Sequence, residues 1–228
     1  MTTITRTGPS YNNKDQNHTG KRYIVGEIVK ENNSYTLNYF DNINFSEDAK
    51  EQYSGFVAFD MNTKKSYDNG VMELFQKRLP PKQRQDYSDY LRSNRINENL
   101  KNNLDSFTLI GLTGGQIEGD GFSFQPVIDV NNNNFQVFFN IAGFRHHSNY
   151  PNDINLLRDK QVTLHAEKYN QHDAHAIKIM YKDYNLGYVP YGYNKEIHKF
   201  LDRIDFAIIS KINGIFTRPN IGLVVSIT

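Results

Sequence analysis

The chain has 228 residues, 26 Lys+Arg against 25 Asp+Glu for a net charge of +1, and neither Cys nor Trp. Zero cysteine excludes disulfides, thiolate zinc sites, iron–sulfur clusters and cysteine nucleophiles, and 38% hydrophobic with 22% charged residues excludes wholesale disorder. No apolar run approaches the ~20 residues of a membrane helix, and the first residues (MTTITRTGPSYNN) lack the apolar core of a secretory signal. A cytoplasmic protein without membrane contact is expected, and no cofactor or metal motif is read. Abundant Asn, including the run Asn131–Asn134, fits AT-rich coding and hence a bacterial or phage source.

In chain order, residues 1–20 are Thr/Asn/Gly-rich without periodicity and read as a flexible arm. Arg22–Val29 and Ser34–Phe40 alternate around Asn32-Asn33, which predicts a hairpin. Ser54–Asp60 reads as a third strand. Asp68-Asn69-Gly70 precedes VMELFQKRL, in which Val71, Leu74, Phe75 and Leu79 share one helical face and Asp or Asn supplies the cap. Pro80-Pro81 ends that helix, and a second is expected over KQRQDYSDYLRSN with Tyr87, Tyr90 and Leu91 inward. A third is predicted over Asp105–Leu112, capped by Asp105 and stopped by Gly114-Gly115. Gly121–Val127 closes this module as a strand.

Asn131–Asn134 marks a boundary. Beyond it, FQVFFNIAGF, QVTLHAEKY, AIKIMYK, LGYVPY, IDFAIISKI and IGLVVSI are short apolar runs separated by turns, as in a small barrel. One helix interrupts them at about Asn194–Asp202. Residues 1–130 carry 15 Lys+Arg and 17 Asp+Glu, and residues 131–228 carry 11 and 8. That difference makes no polyanion-binding tail, but six of the seven histidines also lie in the second part, which points to two modules of different origin. The fold class expected is α+β: a small α/β module over 21–130 and a small β-barrel with a helical insertion over 135–228.

The second module holds the informative residues. A strand Gly143-Phe-Arg145-His146-His147 is followed by Val162–Ile179 with the turn Asn170-Gln-His172-Asp173, and then by Leu186–Pro190. Arg145 can supply a phosphate-binding guanidinium. His146, His172 and Tyr188 offer flat faces for a nucleobase. The competing reading is that Asn170 and Asp173 only close a turn, with Arg145 paired to Asp173. Both stay open on the residues alone.

Leu164, Glu167, Asn170, Asp173, Ala176-Ile177 and Gly187–Pro190 stand in the order and spacing of the HIRAN domain, and residues about 136–228 resemble that family. The resemblance implies an OB- or SH3-like barrel that binds single-stranded DNA or a free 3′-hydroxyl DNA end. By position it implies contacts from Arg145, His146, Asn170, His172, Asp173 and Tyr188, with Lys168 nearby on the backbone and Phe216 as a late-strand stacking residue. The family usually has Tyr after the arginine and often in the turn, where this chain has His146, His147 and His172. Imidazole stacks less extensively and changes charge near pH ~6.5.

The first module, over residues 21–127, resembles the small N-terminal subdomain of HipA-type kinases. The resemblance rests on Val25-Gly-Glu-Ile, Tyr35-Thr-Leu, Val71-Met-Glu-Leu-Phe, Leu79-Pro80 and Phe107-Thr-Leu-Ile. It implies a protein-contact module without catalytic residues. Together these readings predict a non-enzymatic binding protein. The alternative is a regulatory subunit, antitoxin-like or adaptor, for a HipA-like kinase or a helicase or nuclease. Gly111–Gly121 is glycine-rich but lacks the Lys-Ser/Thr of a phosphate loop. His172 and His175 are spaced i, i+3 on a turn, where they diverge, so zinc is not expected. No Gly-x-Ser-x-Gly elbow supports a hydrolase triad.

Overall fold

The alternating runs around Asn32-Asn33 form the expected hairpin, β2 (Arg22–Glu31) with β3 (Ser34–Tyr39), and Asn32 takes the left-handed conformation that asparagine tolerates in turns. This is seen in a computed structural model that describes residues 2–7, 22–41, 43, 53–117, 122–128, 134–146, 150, 153–171, 173–215 and 218–228, with side chains outside the description at 2–7, 22 and 213–219. The chain divides into two units, Met1–Arg84 with Asn102–Val127, and Gln85–Lys101 with Ile128–Thr228.

In the first unit, Thr2–Thr7 is a strand, β1, and not part of a flexible arm. It pairs antiparallel with β2 on one side and with β7 (Phe122–Pro126) on the other. The five-stranded sheet has the order β6-β3-β2-β1-β7, with β6 at Ser66–Tyr67. A register shift between Ile4 and Thr5 leaves Val25 unopposed, so Tyr23, Val25 and Ile28 are all buried despite the broken alternation. Gly26 is required beside it, because a Cβ there would lie 2.4 Å from the Asn38 carbonyl oxygen.

The expected third strand is a small hairpin, β4 (Gly55–Phe56) with β5 (Phe59–Asp60). Tyr39 holds it to the sheet. Its hydroxyl donates to the Phe59 carbonyl at 2.7 Å and accepts from the Phe56 N–H at 2.9 Å, and burial pushes the phenol up to about 12. Phe56, Phe75 and Phe124 stack edge to face at the centre of this core, with centroids 4.8 and 5.1 Å apart. Helix α1 (Val71–Phe75) is shorter than expected, and its cap is Gly70 in the left-handed region without a side-chain bond, not Asp68 or Asn69.

The second expected helix shortens to α2 (Tyr87–Ser93) and belongs to the second unit. In the first unit, α3 (Ser106–Thr113) has the predicted ends. Asp105 accepts from the Thr108 N–H at 2.8 Å, and Gly114 turns left-handed to stop it.

In the second unit, β8 (Phe135–Asn140), β12 (Ile204–Ile215) and β13 (Arg218–Ile227) form one antiparallel sheet in the order β12-β13-β8. A second sheet, β11-β10-β9, comprises β9 (Thr163–Ala166), β10 (Ile177–Tyr181) and β11 (Tyr184–Tyr188). The sheets meet at both edges through isolated bridges, Ala142 to Tyr188 and Gln161 to Ile208. Alternate residues of every strand fill the space between them, including Val137, Phe139, Ile177, Ile179, Leu186, Ile209, Leu223 and Val225. Helix α4 (Asn194–His198) adds Ile197 to this core.

Candidate nucleic-acid interface

The motif turn between β9 and β10 is held by its own side chains. Asn170 donates from Nδ2 to Glu167 Oε2 at 2.7 Å and accepts the Asp173 N–H at 3.0 Å. Asp173 Oδ1 accepts the His175 N–H at 2.8 Å, and Asp173 Oδ2 accepts from Asn194 Nδ2. Asn194 is 2% exposed. Its own Oδ1 accepts the N–H groups of Gly192 at 3.3 Å and Lys195 at 2.9 Å. The turn at 167–173 is thereby tied to the start of α4.

Glu167 is the hub. Strand alternation puts Ile177 and Ile179 in the core, so Lys178 faces outward, where the register sets it beside His165 and Tyr188. Lys178 Nζ lies 2.6 Å from Glu167 Oε1. The bonds from Lys178 and Asn170, with a further one from Tyr188, hold the Glu167 carboxyl down at about 2. Tyr188 responds in the opposite sense: burial and its bond to the Glu167 carboxylate push its phenol up.

Arg145 and His146 do not lie on a strand. Gly143 is left-handed, and Phe144–His146 is a single 3-10 turn in which Phe144 is buried and the two polar residues are exposed. Arg145 Nε donates to His146 Nε2 at 3.1 Å, and no pairing with Asp173 replaces that bond. The turn packs against β11 and β13. Its position depends on the two hydrogen bonds between Ala142 and Tyr188, each N–H donating to the other's carbonyl at 2.9 Å. Gly187 makes that approach possible. Its φ is +127°, and a Cβ would meet the Ala142 oxygen at 2.3 Å.

Of the residues read from sequence, Asn170, Asp173 and Tyr188 therefore join through Glu167, and the 3-10 turn of Arg145 and His146 packs against β11, the strand that carries Tyr188. Lys168 is exposed beside the hub. His172 and Phe216 lie outside the described residues, as does His147. Among the described residues, no three His, Asp or Glu side chains are placed to hold a metal ion. No described helix is long and apolar enough to cross a membrane. Sequence reasoning passed over Lys178 and Asn194, whose roles depend on cross-strand register and on a contact across 21 positions. It also passed over Tyr169, 94% exposed on the motif turn, and Tyr191, 51% exposed in the turn before α4.

This turn, with its Glu, Asn and Asp in place, and the Gly-Tyr-Val-Pro strand that follows lie within the segment that the family comparison finds. Residues 134–219 match the HIRAN domain. The HIRAN match lies wholly within the second unit and takes in the 3-10 turn, the hub and α4. No curated protein and no solved structure matches the chain.

Proposed function

We propose that the HIRAN domain binds single-stranded DNA, and a 3′ end in particular, and that the chain catalyses no reaction. The observation that carries this is the family match over residues 134–219, since HIRAN domains bind DNA. In this reading the two sheets of the second unit make up a small OB- or SH3-like barrel. Arg145 and Lys168 neutralise phosphates. His146, Tyr188 and His172 stack on bases, with Phe216 as a further platform.

Asn170 and Asp173 do two things in this reading. They build the turn, and they still offer groups to a terminal sugar hydroxyl. A carboxylate has about four lone-pair sites, and the described bonds occupy one on each Asp173 oxygen. In the same reading residues 21–130, the module whose sequence resembles the HipA N-terminal subdomain, supply a protein contact. Stacking of about 1–3 kcal/mol per base with a few phosphates gives affinity in the micromolar range.

The test is fluorescence anisotropy at low salt with three short probes: a free 3′-hydroxyl, a 3′-phosphate and a blocked hairpin. Wild type is expected to prefer the 3′-hydroxyl, and Arg145→Ala to lose most binding to every probe. Asp173→Ala is expected to erase the preference. No binding of any probe at tens of micromolar would overturn the proposal.

A further inference from the structure

The motif turn and the start of α4 are joined by Asp173, which accepts the His175 N–H at 2.8 Å on one oxygen and Asn194 Nδ2 on the other. Residues four apart on a helix share a face, so the face of α4 that brings Asn194 to Asp173 also carries His198. His175 lies two positions after Asp173, on the turn itself. The two imidazole rings meet there, with centroids 5.8 Å apart and planes at 40°. They are far apart in sequence, and only the fold brings them together. Asn194 is 2% exposed, so the joint that places the rings is held in the interior, while both histidines are exposed. Among the described residues, no hydrogen bond or ion pair engages either ring.

That spacing suits one shared metal ion. Zinc–imidazole bonds of about 2.0–2.1 Å put each ring centre about 3.2 Å from the ion. Two rings on one ion then have centres about 4.5 Å apart at a right-angled bond and about 6.4 Å apart at a straight one. The observed 5.8 Å falls between these limits. Rotation of an imidazole about its Cβ–Cγ bond is broad, so a nitrogen of each exposed ring can turn to one point without moving the backbone. The surroundings select the kind of ion. No third His, Asp or Glu joins the pair among the described residues. Glu196, the one acidic residue of α4, is bonded to Lys199 Nζ at 2.6 Å, and Lys195 is exposed one turn before His198. Magnesium and calcium need carboxylate or carbonyl oxygens, whereas imidazole nitrogen suits zinc, nickel and copper.

We propose that His175 and His198 form a binding site for a divalent ion of the zinc, nickel and copper class, with water in the remaining coordination positions. Two nitrogens hold the ion less tightly than the three or four protein ligands of a resident zinc, so it exchanges with the free pool. Bound across the turn and α4, the ion adds a second link beside the one that Asp173 and Asn194 make. The folded chain presents the two rings together and the unfolded chain does not, so the ion favours the folded state. Neither histidine is among the residues assigned to DNA, and the proposal stands or falls independently of 3′-end binding.

The experiment titrates zinc and, separately, magnesium into the full chain and into His175→Gln, His198→Gln and His165→Gln. Calorimetry gives the affinity, and NMR of the imidazole rings identifies the ligands. His165 is the control, an exposed imidazole on β9 whose Nε2 is bonded to Thr163 at 2.9 Å. Zinc is expected to shift the ring signals of His175 and His198 together, and magnesium to shift neither. His175→Gln and His198→Gln should each weaken that binding by an order of magnitude, and His165→Gln should leave it unchanged. The wild-type ring signals decide the question even where a variant folds poorly. Ring signals of His175 and His198 that stay unmoved at millimolar zinc, a response from only one of the two, or zinc binding retained at full strength in either variant would overturn the proposal.

Discussion

Glu167 holds three side-chain partners on one carboxylate, and its acid–base chemistry reports on the whole motif turn. Its carboxyl sits at about 2 in the folded chain against an ordinary 4.5. The folded state therefore favours the ionised form. The stabilisation is complete above the ordinary value and is lost as pH falls through it toward 2. Glu167→Gln is expected to cost about 1.5–3 kcal/mol at neutral pH, the range of a hydrogen bond to a charged group. It should also flatten the fall in stability below pH 4.5. Urea unfolding of both proteins across that range checks this. An equal loss at every pH would place the cost in packing and not in the charge. The same residue shows why the motif reads two ways from sequence. Glu, Asn and Asp at this spacing suit a ligand site, and they also satisfy one another.

At the scale of elements, the approach of the 3-10 turn to β11 rests on Gly187. Gly187→Ala is expected to destabilise the chain by about 1–3 kcal/mol from backbone conformation alone, with the clash against Ala142 in addition. Because the Ala142–Tyr188 pair positions Arg145 and His146, the proposed DNA affinity should fall too, although neither of these residues is changed. A melting curve and an anisotropy titration of the same variant test both halves, and intact binding in a destabilised variant would show that the turn is placed by other contacts.

Most strands and the ends of α3 were legible in sequence, because alternation and an Asp cap followed by Gly are local signals. Three features were not. The strand at Thr2–Thr7 contains four threonines and a single aliphatic residue, so it has no apolar alternation to detect. Arg145 and His146 continue an apolar run and read as strand, but the left-handed Gly143 turns the chain before them. The Glu167–Lys178 pair arises from strand register, which no local pattern specifies.

For the whole molecule, chain order and unit order differ. Gln85–Lys101 is interpolated between two parts of the first unit yet belongs to the second, so no single cut in the chain separates the units. A chain beginning at Arg22 lacks β1, which among the described residues is the one strand that pairs with β7. It is expected to release β7, with Phe124, from the first unit's core. Limited proteolysis should then cut within residues 122–126, which pair with β1 in the full-length chain. Equal resistance would show that β7 is retained without β1.

The placement of β1 also bears on how the protein is made. Residues 2–7 leave the ribosome before the rest of the first unit, but their second partner is β7, more than a hundred positions later. Translation must pass Pro126 before the sheet of the first unit can be completed. Until then β1 can pair only on its β2 side, and its other edge presents unsatisfied backbone donors and acceptors to whatever is near. The nascent chain thus has an interval in which a binder of extended peptides, a chaperone among them, has a defined strand edge to hold.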